Sequence, residues 1–209
     1  MGLWTDRVVP HLVDRALSTG DVMALRDETC AGLAGRVLEL GFGSGLNAGA
    51  YPPAVTRIDA VEPSDLGWSM SAQRRRGASV PIARVGLDGQ QLEAEDSSYD
   101  AVLSTFTLCT IPDVAAALAE VRRVLRPGGA FHFLEHGLAP DPGVARWQRR
   151  LDPIERRIAG GCHLSRDIPE LVRDSGMELG AVSASYLPGP GAGRPWTYVF
   201  SGRAVESAA

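Results

Sequence analysis

The sequence predicts an α/β protein built on a doubly wound, mostly parallel sheet. Seven short apolar segments alternate with segments of helical periodicity along most of the chain. Strands that alternate with helices form a parallel sheet covered by helices on both faces. With 209 residues, 44% hydrophobic and 22% charged, the chain is long enough for one domain with a sizeable core.

The predicted elements begin with a helical preface. Apolar residues recur at helical spacing after Pro10, and Ser18-Thr19-Gly20-Asp21 interrupts that pattern, so residues 3–33 are predicted as an interrupted helical segment. The predicted strands are 36–40, 55–61, 80–85, 99–104, 129–134, 177–187 and 195–203. The predicted helices are one ending near Tyr51 and those at 64–76, 113–125, 143–159 and 167–175, with 188–193 as a loop. We expect a single domain, with residues 1–34 as preface or lid, 35–136 as the ligand-binding half and 137–209 as the acceptor-side half.

A glycine-rich loop follows the first predicted strand. Gly41, Gly43 and Gly45 have the spacing G-x-G-x-G, and glycines let the backbone approach a ligand closely. In a doubly wound sheet, ligands bind at the carboxyl ends of the strands, and the helix after such a loop offers free N–H groups. The alternative is a tight turn between strand and helix.

Two acidic residues, one before this loop and one at the end of the second strand, indicate its ligand. Glu39 precedes the loop, where a carboxylate would repel a pyrophosphate but can orient an ammonium group. Glu62 ends the second strand, where an acid can bind both ribose hydroxyls. Leu46 stands where the dinucleotide fingerprint G-x-G-x-x-G has its third glycine. S-adenosylmethionine (SAM) fits this pattern, and NADP fits it poorly.

Composition excludes several other chemistries. All 21 basic residues are arginine, which rules out a Schiff-base lysine, a pyridoxal-phosphate anchor and a P-loop. The formal net charge of −4 argues against broad nucleic-acid binding. No apolar run reaches the roughly 18 residues that span a bilayer, and three widely spaced cysteines fit a reducing compartment. We therefore expect a cytoplasmic protein without a stable membrane anchor; its oligomeric state stays open.

Several motifs resemble those of known enzymes. The segments that resemble the class I SAM-dependent methyltransferases are Val37–Asn47, Val61–Ser64 and Glu120–Gly129. Those similar to the bacterial relatives of the methyltransferase-like thiol S-methyltransferases are Ser104–Pro112, Leu134–Gly137 and Gly161–Arg166. The resemblance implies a Rossmann-like, seven-stranded sheet with the last strand antiparallel, an N-terminal helical lid, SAM as cofactor and a small-molecule methyl acceptor.

The resemblance also implies which residues bind the cofactor. The expected set is Glu39, Gly41, Phe42, Gly43, Gly45, Asn47, Glu62, Pro63, Asp88, Thr105 and Phe106. Within it, Glu62 would bind the ribose and Pro63 the adenine face. Asp88 would contact the adenine amino group or would be an ordinary turn aspartate. Thr105 and Phe106 would face the sulfonium, although Phe106 could equally be a core aromatic.

The acceptor decides whether the reaction needs a base. Methyl transfer from a sulfonium is an in-line displacement in which the enzyme mainly aligns the reactants and excludes water. A thiol with a pKa of about 8.5 is partly ionised at neutral pH, whereas a phenol near 10 gains more from a base. His136, directly after the fifth strand, and His163, beside Cys162, are the candidate catalytic residues; a structural role is the alternative for His136. No standard zinc pattern has the spacing of Cys109, His136, Cys162 and His163, so we expect free cysteines and no metal.

These observations predict a SAM-dependent methyltransferase that acts on a small molecule. Thiol sulfur is the first expected acceptor and a hydroxyl oxygen the second, and the thiol preference depends on the resemblance alone. The alternative from another class is a non-catalytic SAM-binding module or sensor. A nicotinamide-dependent oxidoreductase is the weaker alternative.

Overall fold

The computed structural model, which describes residues 7–206, contains one seven-stranded sheet. The strands are β1 (Gly35–Leu40), β2 (Val55–Val61), β3 (Ile82–Gly86), β4 (Tyr99–Thr105), β5 (Leu125–His136), β6 (Met177–Tyr186) and β7 (Tyr198–Glu206). Their order is β3-β2-β1-β4-β5-β7-β6. Strands β1 to β5 are parallel, and β7 runs antiparallel to both β5 and β6. The predicted fold class is therefore confirmed.

Helices cover the sheet on both faces. They are α1 (Val9–Ala16), α2 (Gly20–Cys30), α3 (Asp65–Met70), α4 (Ala72–Gly77), α5 (Val114–Val124), α6 (Pro142–Ile158) and α7 (Ile168–Asp174). On one face, Leu118 and Val172 belong to a core with Phe131; on the other, Cys30 and Val37 belong to a second core. Each fully buried large side chain contributes roughly 1.5–3 kcal/mol, so these two cores hold the sheet rigid beneath its loops.

The segment after the glycine loop differs from its prediction. It is a 3-10 turn, Leu46–Gly49, rather than a helix ending near Tyr51. Gly49 favours a helix poorly, and Pro52-Pro53 prevents the chain from continuing helically. The residues between the loop and the prolines form this 3-10 turn instead of an α-helix, so the N–H donors expected there must come from the loop itself.

Other boundaries shifted by a few residues. The predicted helix 64–76 is two helices, α3 and α4, separated at Ser71, although Ser64 caps α3 by accepting a hydrogen bond from the Gly67 N–H at 3.1 Å. The fifth strand begins at Leu125 rather than 129 because Leu125 pairs with Tyr99. A 3-10 turn, Gly191–Trp196, takes in part of the predicted loop and delays β7 to Tyr198. Residues 3–6 of the predicted preface lie outside the described residues.

Between residues 7 and 206, no helix has the length and apolar character needed to cross a membrane. The same residues include no group of three or more His, Cys, Asp or Glu side chains placed to hold a metal ion.

Candidate functional site

A cleft of about 560 Å³ opens at the carboxyl ends of β1, β2 and β4. Its walls are the glycine loop, the loops after β2, β3 and β4, and α1, which contributes Val13. Strands β1 and β4 are neighbours that lead to opposite halves of the sheet, so the cleft lies at the topological switch point. Its volume is in the range of small-molecule sites.

The glycine loop keeps its backbone open toward the cleft. Gly41 has φ 66°, and a Cβ there would lie 2.1 Å from Thr107 Oγ1, so the close contact with the β4 loop requires glycine. The Gly41 N–H donates to the Val61 carbonyl at 2.9 Å, which fixes the loop against β2. At Gly43, a Cβ would meet nothing closer than 3.9 Å, so a ligand can approach this residue.

Glu62 lines the cleft although it is 5% exposed. Its Oε2 accepts a hydrogen bond from the Gly43 N–H at 2.6 Å, and its Oε1 accepts one from the Ser64 N–H at 2.7 Å. Burial raises the pKa of Glu62, and these two N–H donors oppose that rise. Each carboxylate oxygen keeps a second lone pair, so this oriented acid can bind a pair of adjacent hydroxyl groups.

The expected adenine end of the cleft is formed by Pro63 and the loop after β3. Asp88 lines this end and is exposed. Its Oδ1 accepts hydrogen bonds from the backbone and side-chain N–H groups of Gln90 at 2.8 and 2.9 Å. Asp88 therefore holds an Asx-type turn and still has Oδ2 for a ligand, so the two interpretations of this residue are compatible.

The cleft contains an arginine that the sequence analysis missed. Arg26, on α2, is 3% exposed and lines the cleft. Its Nη1 donates to Asn47 Oδ1 at 2.7 Å and to Thr105 Oγ1 at 2.8 Å, and its guanidinium lies 5.3 Å from the Phe106 ring centroid. Within residues 7–206, its Nε is buried without a hydrogen-bond partner. Arg26 thus places a cation beside three of the expected cofactor-binding residues.

Glu39 lies behind the cleft rather than in it. It is 1% exposed, and its carboxylate accepts hydrogen bonds from Asn47 Nδ2 at 3.0 Å and from the Tyr51 hydroxyl. Burial raises the pKa of Glu39 to about 7. Neither Glu39 nor Asn47 nor Gly45 is among the described residues that line the cleft. Glu39 orients Asn47, which supports Arg26, and its expected contact with an ammonium group stays a prediction.

A second buried acid shapes the loop after β4. Phe106 has φ 53°, which is uncommon for a bulky residue and occurs where surrounding contacts impose it. The next N–H, of Thr107, donates to Glu135 Oε2 at 2.9 Å, and Ser104 Oγ donates to Glu135 Oε1 at 2.7 Å. Burial raises the pKa of the fully buried Glu135 to about 7. Glu135, which the sequence analysis gave no role, holds Phe106 at the cleft.

The two candidate catalytic histidines lie outside the cleft wall. His136 is 5% exposed, and its Nε2 lies 3.1 Å from the Pro195 carbonyl oxygen. His163 lines a separate opening and lies 3.6 Å from Asp152 Oδ2; burial and nearby arginines lower its pKa. Of the side chains described, the ionisable ones that line the cleft are Arg26, Glu62 and Asp88. Neither candidate histidine is therefore among the described residues of the cleft wall.

Parts of this chain are similar in sequence to known proteins. Residues 38–133 match the family model of a methyltransferase domain. The thiol S-methyltransferase TMT1B of Rattus norvegicus is 39% identical over 137 residues, which cover 63% of this chain and 55% of that protein. The chain thus spans about half the length of the curated relatives it matches.

Solved structures share the fold at low sequence identity. A SAM-dependent methyltransferase of Methanosarcina mazei superposes with a TM-score of 0.61 and 19% identity, covering 82% of this chain and 92% of that one. The [4+2]-cyclase SpnF superposes with a TM-score of 0.64 and 20% identity, covering 90% and 80%. Since proteins with such different names share this fold, the reaction must be argued from the residues of the cleft.

Proposed function

Because the chain carries a class I, SAM-dependent methyltransferase domain, we propose that it transfers the methyl group of SAM to the thiol sulfur of a small molecule. The choice of a thiol acceptor follows from the ionisable groups that line the cleft. Its two described acids, Glu62 and Asp88, belong to the nucleoside end and already accept N–H hydrogen bonds. A thiol ionises without a base, whereas a phenol or alcohol benefits from one. The rat relative, named as a thiol S-methyltransferase, supports the same choice.

The described residues fit SAM along the length of the cleft. Glu62 would bind the two ribose hydroxyls, and Asp88 Oδ2 the adenine amino group. Arg26 would bind the methionine carboxylate through a charge-assisted hydrogen bond, because it is the cation that the described cleft wall supplies. Thr105 and Phe106, fixed by Arg26 and Glu135, would border the sulfonium between these two ends.

The residues then act mainly by alignment. In the proposed step a thiolate lone pair forms the new sulfur–methyl bond while the methyl–sulfonium bond breaks, leaving its electron pair on the departing sulfur. The proton of the acceptor thiol goes to solvent before the attack. We propose that α1 acts as the lid, because Val13 and Leu17 line the cleft and would exclude water from the reacting atoms.

An acceptor panel tests the proposal. The protein would be incubated with SAM and matched pairs that differ in one atom, such as thiophenol and phenol, and the methylated product identified by mass spectrometry. We expect thioethers from the thiols and no ether from the phenols. Products from phenols alone would overturn the thiol assignment. SAM binding without turnover across the panel would favour a non-catalytic module, and tighter binding of NADH than of SAM would favour an oxidoreductase.

A further inference from the structure

Two cysteines far apart in the sequence meet beside the cleft. The backbone N–H of His163 donates to the Cys109 carbonyl at 2.8 Å, which brings the segment of Cys162 against the loop after β4. The thiols of Cys109 and Cys162 hydrogen-bond to each other. Both cysteines are free; Cys109 is buried, and Cys162 is partly exposed.

His136 is oriented toward this pair. Since a carbonyl oxygen can only accept, the Nε2 of His136 must carry the hydrogen that it shares with the Pro195 carbonyl at 3.1 Å. Gln148 Nε2 donates to the same carbonyl at 3.0 Å and fixes its position. The Nδ1 atom is then a free acceptor, buried and without a hydrogen-bond partner among the described residues. The imidazole interacts with the Cys162 thiol, which is the group whose proton this atom can take.

These contacts distinguish Cys162 from the other cysteines. The hydrogen bond from Cys109 and the interaction with His136 lower the pKa of Cys162, whereas the same hydrogen bond and burial raise the pKa of Cys109. Burial instead raises the pKa of Cys30 far above its ordinary value. Only a thiolate attacks a disulfide, so Cys162 is the cysteine that makes the first attack, and Cys109 and Cys30 do not.

An opening of about 460 Å³ lies next to the partly exposed Cys162. Gly161 and His163, on either side of Cys162, line it together with Arg156 and Arg157. Two guanidinium groups at the entrance favour a ligand that carries carboxylates. We propose that Cys162 is a redox-active thiolate that reduces small carboxylate-bearing disulfides, with Cys109 as the resolving thiol.

The reaction balances in two exchanges. His136 takes the Cys162 proton, and the thiolate attacks one sulfur of the disulfide; the mixed disulfide forms, and the leaving thiolate takes the proton from His136. The Cys109 sulfur then attacks Cys162, forming the Cys109–Cys162 disulfide, and its proton goes to the second leaving thiolate. The protein is oxidised by two electrons, and the external disulfide is reduced to two thiols.

The position of the pair links this chemistry to the cleft. Thr110 and Ile111, directly after Cys109, line the cleft, as does Gly160, two residues before Cys162. A Cys109–Cys162 disulfide would therefore join two of its walls. The thiols released belong to the acceptor class of the proposed function; this connection rests on that proposal, but the redox reaction does not.

The test uses the reduced full chain without SAM. It would be treated with anionic 3,3′-dithiodipropionate or with neutral bis(2-hydroxyethyl) disulfide, and the products mapped by mass spectrometry. We expect an internal Cys109–Cys162 disulfide, formed several-fold faster with the anionic reagent at low salt. Cys109→Ser should stop at a mixed disulfide on Cys162, Cys162→Ser should not react, and the matched control Cys30→Ser should behave as wild type. An unchanged reaction of Cys162→Ser, or modification at Cys30, would overturn the proposal.

A second readout separates the role of His136 from a structural one. The rate of iodoacetamide alkylation of Cys162 should rise with pH around a midpoint below that of an ordinary thiol in the wild type. In His136→Gln the midpoint should move toward that of an ordinary thiol, near about 8.5. A wild-type midpoint already in the ordinary range would contradict the assignment, whether or not the protein methylates thiols.

Discussion

At the scale of single residues, the cleft contains opposite charges. Glu62 is an oriented carboxylate that follows β2, and Arg26 is a buried cation on α2. In the proposed binding mode, Glu62 binds the ribose hydroxyl groups of SAM and Arg26 binds its carboxylate. Variants of the two residues should therefore respond differently to ligands that share only part of SAM.

Replacing Glu62 should weaken every ligand that has the ribose. In Glu62→Gln the lost charge-assisted hydrogen bonds should reduce affinity for both SAM and 5′-methylthioadenosine by roughly tenfold or more. Isothermal calorimetry measures this, with Glu178→Gln, an exposed position on β6, as the matched control. Unchanged affinity of the Glu62 variant for SAM would mean that the ribose lies elsewhere.

Replacing Arg26 should weaken only ligands that have the amino-acid carboxylate. In Arg26→Met we expect SAM affinity to fall by roughly tenfold or more, because a charge-assisted hydrogen bond is lost. Affinity for 5′-methylthioadenosine, which lacks the carboxylate, should change much less in the same titration. An equal loss for both ligands would assign Arg26 a structural role through Asn47 and Thr105.

The buried acids make stability depend on pH. The folded-state pKa of Glu39 is raised to about 7 from an ordinary 4.5, so the folded chain holds this proton more tightly than the unfolded chain. The stabilising contribution is therefore complete below about 4.5 and is lost as the pH rises through about 7. Urea unfolding should show wild-type stability falling between pH 5 and 8. Glu39→Gln should remove part of that fall, on the order of 3 kcal/mol at most, and an identical slope in the variant would contradict the assignment.

Sequence reasoning identified some of these residues and missed others for physical reasons. Gly41 and Glu62 follow strands whose carboxyl ends must meet, so their position could be predicted. Arg26 was missed because charge normally indicates exposure; its spacing from Val22 and Thr29 on the buried face of α2 was the available signal. Side chains along β1 alternate between the two faces of the sheet, so the sequence does not show what the Glu39 side chain contacts. The packed structure shows that it meets Tyr51 rather than the cleft.

At the scale of elements, α1 is tied to the glycine loop by one carboxylate. Asp14 Oδ1 accepts hydrogen bonds from Ser44 Oγ at 2.5 Å and from Arg74 Nη1 at 2.7 Å. These bonds join α1, the loop after β1 and α4. The strand β2 was predicted with its observed limits because Val55–Val61 is bounded by prolines. This tether of α1 could not be predicted, because it joins residues of three separate elements.

Loosening this tether should affect ligand release more than folding. Asp14→Asn removes a partly exposed ion pair, which is worth about 1 kcal/mol or less to stability. Because Val13 and Leu17 cover the cleft, SAM should dissociate several-fold faster from the variant in stopped-flow experiments. Arg15→Gln, on the exposed side of α1, is the control. A dissociation rate equal to that of wild type would argue against α1 as a lid.

At the scale of the whole molecule, the order of the strands creates the site. The neighbours β1 and β4 carry the glycine loop and the Phe106 loop, and Gly41 and Thr107 touch where these loops meet. Strand β7 pairs with β5 and continues the sheet to β6. Alternation of strands and helices predicted the parallel part of this sheet, and the family resemblance predicted the antiparallel last strand. The absence of a histidine from the described cleft wall emerged only from the structure.

The pH dependence of methyl transfer shows whether the enzyme supplies a base. The kcat/KM would be measured from pH 6 to 10 for two thiols of different pKa, under reducing conditions and with saturating SAM. If the cleft supplies alignment without a base, the profile for each thiol should bend at that thiol's own pKa, so the two profiles should be displaced by the difference between the acceptors. Two profiles that bend at one common pH, whatever the acceptor, would reveal an ionising group of the enzyme and contradict this account.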